Sequence, residues 1–163
     1  MGGAGLTTGG FYAHFQSKTA MDVEIVRTML RPLHGLEGLD DVPSFDWLQR
    51  AVKRYLSVAH RDNLEGCPYP AVLSEIASAP DEVRRAFAEA LERRVAAFEP
   101  HVPGTAVLAR QRALATMALT IGGLLLARAA QGQPISKEML MACRRWALPE
   151  TQGDNSRPPR TAR

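Results

Sequence analysis

The chain reads as an all-α protein. Apolar residues recur at spacings of three and four through every long segment, and no run alternates apolar with polar as a half-buried strand would. The interruptions carry Pro, Gly, Asp or Ser, the residues that stop and start helices. With 163 residues, 45% of them hydrophobic and 23% charged, the chain suits a globular protein with one or two modest cores.

Leu6 to Phe15 reads as a short helix and a tight turn. Ser17 then offers an N-cap, and Met21, Ile25, Val26, Met29, Leu30 and Leu33 form the stripe of a first long helix that Gly35 and Gly38 end. The loop Asp40-Asp41-Val42-Pro43 leads to a second cap, Ser44. Beyond it Phe45, Leu48, Val52, Tyr55, Leu56 and Ala59 line one face of a single helix, with Arg50, Lys53 and Arg54 opposite. A turn through Asn63-Leu64-Glu65-Gly66-Cys67-Pro68 follows, and Pro70 opens a short helix with Val72, Leu73, Ile76 and Ala77 facing inward.

Ala79-Pro80 stops that helix. Asp81 and Glu82 begin the next, where the helix dipole favours acids. Val83, Phe87, Leu91, Val95 and Phe98 make a narrow apolar stripe on an otherwise charged rod, broken by Pro100, Pro103 and Gly104. Residues 105–131 predict the longest helix, roughly 40 Å at 1.5 Å per residue, ending at Gly132. A last helix spans 136–148 and stops at Pro149. Residues 150–163, rich in Gln, Gly, Asn, Pro and Arg, have little to bury, and disorder is the expectation. The sum is one short helix and six longer ones.

The net charge is +3, partly from Arg157, Arg160 and Arg163 at the end of the chain, so charge alone argues little for nucleic acid. Cys67 and Cys143 stand far apart and suggest no disulfide framework, as expected of thiols in a reducing cytoplasm. No signal-peptide pattern opens the chain. The uncharged run 113–127 falls short of the about 20 residues a membrane span needs, so a buried helix and no membrane partner are expected. Metal-ligand spacing, a phosphate-binding glycine loop and a nucleophile motif are all absent, and His14, His34, His60 and His101 are scattered. An enzyme is not expected, nor is a metal or other cofactor.

The sharpest feature is Gly5-Leu6-Thr7-Thr8-Gly9-Gly10-Phe11-Tyr12-Ala13-His14-Phe15-Gln16-Ser17-Lys18. A helix enters the major groove when its leading residues are small and polar neighbours hold phosphates on either side. Thr7, Thr8, Gly9 and Gly10 are small, and threonine brings a hydroxyl and a methyl to base edges. Lys18 opens the following helix, whose free N–H groups also attract phosphate. Each glycine costs a helix roughly 1 kcal/mol, which a plain core helix gives no reason to carry.

Tyr12-x-His14-Phe15 followed by Ser17-Lys18 resembles the recognition helix and following helix of TetR-type (TetR/AcrR) transcriptional repressors. The resemblance implies that Thr7, Thr8, Gly9, Gly10, Tyr12, His14 and Lys18 contact double-stranded operator DNA, with Lys18 on a phosphate. Proteins of that type place two further helices before this point, whereas six residues precede Thr7 here. A helix of about seven residues does not persist alone in water. The expectation is an internal start, or a form truncated within its helix-turn-helix, with specific DNA binding weak or absent.

On that reading 1–34 is a partial DNA-binding region, 35–149 a helical ligand-binding and dimerisation bundle, and 150–163 a disordered tail. Sensor pockets form between helices from large apolar residues with a few polar groups. Met29, Trp47, Tyr55, His60, Cys67, Tyr69, Met117 and Ile121 are candidates for contact with a small apolar effector, and each also suits plain core packing. The last two helices are the expected homodimer surface, through Met117, Ile121, Leu124, Leu125, Leu140 and Trp146, with Gly122 and Gly123 allowing close approach. Twofold symmetry suits a palindromic operator. A ligand-responsive, DNA-binding repressor is the expected function. The alternative is a small-molecule-binding or heterodimerising helical module that does not bind DNA.

Overall fold

A computed structural model describes residues 15–30, 44–63, 67 and 69–148. Helix is the regular structure throughout these residues: α1 Lys18–Met29, α2 Ser44–Tyr55, α3 Val58–Asp62, α4 Tyr69–Ala77, α5 Asp81–Phe98, α6 Ala106–Ala129 and α7 Pro134–Ala147. One 3-10 turn, Glu99–His101, joins α5 towards α6. The fold is all-α. The 150–163 tail and the 31–43 connection lie outside the described residues.

Local chemistry sets the helix starts. Ser17 is extended, and its hydroxyl accepts a hydrogen bond from the Ala20 amide at 3.0 Å, capping α1. The stretch expected as one helix from Ser44 to Ala59 is two. Backbone at Ser57 leaves the helix, and its hydroxyl accepts from the His60 amide at 3.0 Å to start α3. This break keeps Tyr55 and Leu56 buried while Ala59, expected inside, faces solvent. α7 begins two residues earlier than expected because Pro134 suits the first helical position. Gly132, at φ +89°, makes the turn between α6 and α7, a conformation that favours glycine.

Arginines satisfy the carbonyls that the α2–α3 break would otherwise strand. Arg144 donates to the Leu56 carbonyl at 2.9 Å. Arg128 donates to the carbonyls of His60, Arg61 and Asn63 at 2.9, 3.1 and 2.7 Å, closing the end of α3.

One core joins the helices. Val26 of α1 and Leu30 directly after it, Leu48, Val52 and Leu56 in and just after α2, Val95 of α5, Leu124 of α6 and Leu140 of α7 are all buried in it. α1 packs along α5, and Arg27 stands 4.0 Å from Glu89 where their surfaces meet. Ile25, expected in the α1 stripe, is 39% exposed. On α5 the buried set is wider than the stripe expected, because Ala86, Ala90 and Arg94 add a second line four residues apart. Gly123 lets α7 approach α6: a Cβ there would stand 2.6 Å from Cys143 Sγ.

Candidate ligand site

Between α2, α5 and α6 lies a small cavity lined by Ala51, Val52, Tyr55, Arg94, Phe98 and Thr120. Its volume, about 10 Å³, is room for roughly one water. Its lining mixes apolar side chains with Tyr55, Arg94 and Thr120. The Thr120 hydroxyl donates to the Met117 carbonyl at 3.1 Å, leaving its lone pairs available.

Arg94 dominates the electrostatics. It is 2% exposed, and its guanidinium carbon lies 5.3 Å from the Tyr69 ring centre and 5.6 Å from that of Phe98. Both rings thus offer their negative faces to a buried cation. The Tyr69 side chain is 1% exposed, and its hydroxyl makes no hydrogen bond among the described residues. Burial pushes that phenol's pKa up, and the charge of Arg94 draws it part of the way back.

Tyr55 and Cys67 are also side by side, with 3.0 Å between the phenol oxygen and Sγ. Burial raises the Tyr55 pKa, and Cys67 raises it further. Both phenols therefore keep their protons at neutral pH and remain donors. His60 sets its ring edge-on to Tyr55 at 4.7 Å, and His60 Nδ1 lies 2.7 Å from the Tyr55 carbonyl. A carbonyl only accepts, so Nδ1 carries the proton.

Beside Phe98 a second aromatic layer closes the bundle. Trp47 stacks on His101, with centroids 4.1 Å apart and planes at 11°, and meets Phe98 edge-on at 5.1 Å. His101 Nδ1 is buried without a partner among the described residues, and burial lowers that histidine's pKa.

Of the eight residues expected around an effector, Tyr55 lines the cavity, and Cys67, Tyr69 and His60 surround it through the contacts above. Trp47 and Met117 are packed in the core, Ile121 is half-buried, and the Met29 side chain lies outside the described residues. Arg94, Phe98 and Thr120 were not expected there. The legible signal for Arg94 was its place four and eight residues after Ala90 and Ala86, on the small-residue face of a charged helix.

Thr7, Thr8, Gly9, Gly10, Tyr12 and His14 lie outside the described residues. Lys18 is exposed at the first position of α1, directly after its cap. The expected dimer set divides. Leu124, Leu140 and Met117 are 0%, 2% and 3% exposed within a single chain, so they belong to its own core, a correction to the surface expected of them. Leu125 and Trp146 are exposed, at 40% and 77%. The glycine pair divides likewise: Gly123 faces α7, whereas a Cβ at Gly122 would meet nothing within 4 Å. No group of three or more His, Cys, Asp or Glu side chains gathers to hold a metal among the described residues. No protein-family model matches the chain, and no curated protein matches it either.

Proposed function

We propose that the chain is a ligand-responsive, DNA-binding transcriptional regulator of the TetR type, acting as a cytoplasmic homodimer. The observation that carries the reading is Tyr12-x-His14-Phe15-x-Ser17-Lys18 running directly into a helix that Ser17 caps. Lys18 then sits, exposed, among the free N–H groups of a helix start, where a phosphate binds well. The same helix is fastened to the bundle by Val26 and Leu30 in the core and by Arg27 beside Glu89 of α5. A ligand that shifts α5 would therefore shift the helix that follows the DNA-reading motif.

Support for the homodimer comes from α6. Val107, Leu114, Ala118, Gly122 and Leu125 follow one line of the helix at spacings of seven, four, four and three, with no charge among them. Val107, Leu114 and Leu125 are 71%, 41% and 40% exposed, and small Ala118 and Gly122 between them permit close approach of a second copy. An apolar strip of this length on a charged protein marks an interaction surface.

Competition gel shifts against the DNA upstream of the chain's own gene test the reading. They are run with the 163-residue chain and with any in-frame N-terminal extension that the gene encodes. Specific binding exceeds non-specific binding by at least about a thousandfold in regulators of this kind. Lys18→Ala should weaken binding to all sequences and flatten the salt dependence by about one phosphate's worth, whereas Thr8→Ala should alter the preference among sites. Loss of all sequence preference in both forms would overturn it.

A further inference from the structure

An aromatic stack fastens the α5–α6 corner to α2. His101 ends the 3-10 turn, and its ring lies flat on Trp47 with centroids 4.1 Å apart. Trp47 is buried, as is Val102 directly after His101. His101 itself is half-buried, so its ring has a way out to water. Its departure would bare the tryptophan and the valine together.

The corner offers Nδ1 no acceptor: that atom is buried without a partner among the described residues. α2, α5 and α6 all pack against the turn. Asp46 and Arg50 on α2 and Arg93 on α5 are exposed. Glu92 of α5 and Glu99 of the turn both accept from Arg110 of α6, at 2.8 and 3.2 Å. Arg94 of α5 lies against the rings of Tyr69 and Phe98, and Arg112 of α6 donates to the Pro103 carbonyl. Glu99, the carboxylate of the turn itself, is therefore already engaged. Burial is accordingly what lowers the His101 pKa.

We propose that His101 is an acid-triggered latch: on taking a second proton its ring leaves Trp47, and the turn swings away from α2 while the helices stay intact. The inference stands apart from the DNA-binding reading above. An imidazolium carries a proton on both nitrogens, so Nδ1–H becomes a buried charged donor with nothing to accept it. The face of Trp47 attracts a cation and opposes release, but an unmet buried donor on a charged group is the larger penalty. The turn is built to move. Gly104, at φ +132°, lies between it and α6 in a conformation that favours glycine. The ion pair of Glu99 with Arg110 is solvent-accessible and restrains it weakly.

The test uses the full chain carrying Trp146→Phe, which leaves Trp47 as its only tryptophan. Acidification from about pH 7.5 to about 5 stays above the range of ordinary carboxylates. Over it Trp47 emission should shift to the red, and quenching by acrylamide should rise severalfold. The His101 ring protons, followed by NMR, should titrate with the same midpoint, below 6.5, while far-UV circular dichroism holds. His101→Phe keeps a ring on Trp47 and should abolish the fluorescence change. Should that variant not fold, the shared midpoint of the His101 ring and the Trp47 indole N–H in the unmodified chain decides the matter. The proposal is overturned if His101 titrates while Trp47 does not respond, or if it fails to titrate above about pH 5. It is equally overturned if the Trp47 change persists in His101→Phe. Loss of the helix signal at the same midpoint would mean unfolding of the whole chain and would also overturn it.

Discussion

Arg61 and Ser136, 75 positions apart, share a buried hydrogen bond of 3.0 Å from Nη1 to the serine hydroxyl. Ser136 in turn donates to the Ala127 carbonyl at 2.6 Å. One hydroxyl thus joins α3, α6 and α7. It also explains why a five-residue helix, far too short to persist alone, holds its place.

Ser136→Ala should therefore cost more than an ordinary surface change. It strands a buried guanidinium N–H and a carbonyl together, a loss of about 1–3 kcal/mol. For a chain of this size each kcal/mol lowers Tm by roughly 2–4 °C. An unchanged melting temperature would show that the relay contributes nothing.

The adjacent glycines of α6 should respond in opposite ways. Gly123→Ala drives a methyl to 2.6 Å from Cys143 Sγ and 2.9 Å from its Cβ, against Leu56 at 3.4 Å. Overpacking of this kind costs about 1–3 kcal/mol. Gly122→Ala meets nothing within the chain and gains up to about 1 kcal/mol in helix propensity. Urea midpoints should fall for the first and hold or rise for the second, and Cys143→Ala should restore part of the loss at Gly123. The opposite order would refute the packing described.

His101 gives the fold a pH dependence with a definite sign. Burial lowers its pKa below the ordinary 6.5, so on acidification the unfolded chain takes up the proton first. The stabilising contribution is present above 6.5 and is lost as pH falls below it. Asp62, held below 3.8 by its hydrogen bond from Arg61, acts only in more acid solution. Melting temperature should therefore be flat from about pH 8 to about 6.5 and decline below it. His101→Phe, which keeps a ring against Trp47, should flatten that decline, and an equal decline in the variant would assign it elsewhere.

Helix periodicity carried most of the fold into view, because residues such as Val26, Leu48, Val95 and Phe98 are buried where threes and fours put them. What it missed has a common cause. Ser57 capping inside an apolar run, and Arg128 and Arg144 reaching carbonyls far along the chain, are polar contacts that leave no period. Arg94 escaped for a related reason: on a charged helix one more arginine reads as solvated until its neighbours Ala86 and Ala90 are seen to face the core. Tyr55, Cys67 and Tyr69 stood out in the sequence singly, as large or polar residues among apolar ones, and their proximity leaves no period to read.

Neighbouring leucines of α6 separate core from surface. Leu124 is fully buried, and Leu125, one residue on, turns about 100° around the helix to stand 40% exposed. Leu124→Glu should unfold the chain, since an unpaired carboxylate inside the core is strongly unfavourable. Leu125→Glu should leave circular dichroism and the melting temperature of the monomer unchanged, yet place like charges opposite one another across a twofold contact. If the α6 strip joins two copies, sedimentation at micromolar concentration should give a dimer for the unmodified chain and a folded monomer for Leu125→Glu. A folded dimer carrying glutamate at position 125 would move the contact off this face, and a clean monomer for the unmodified chain would remove it altogether.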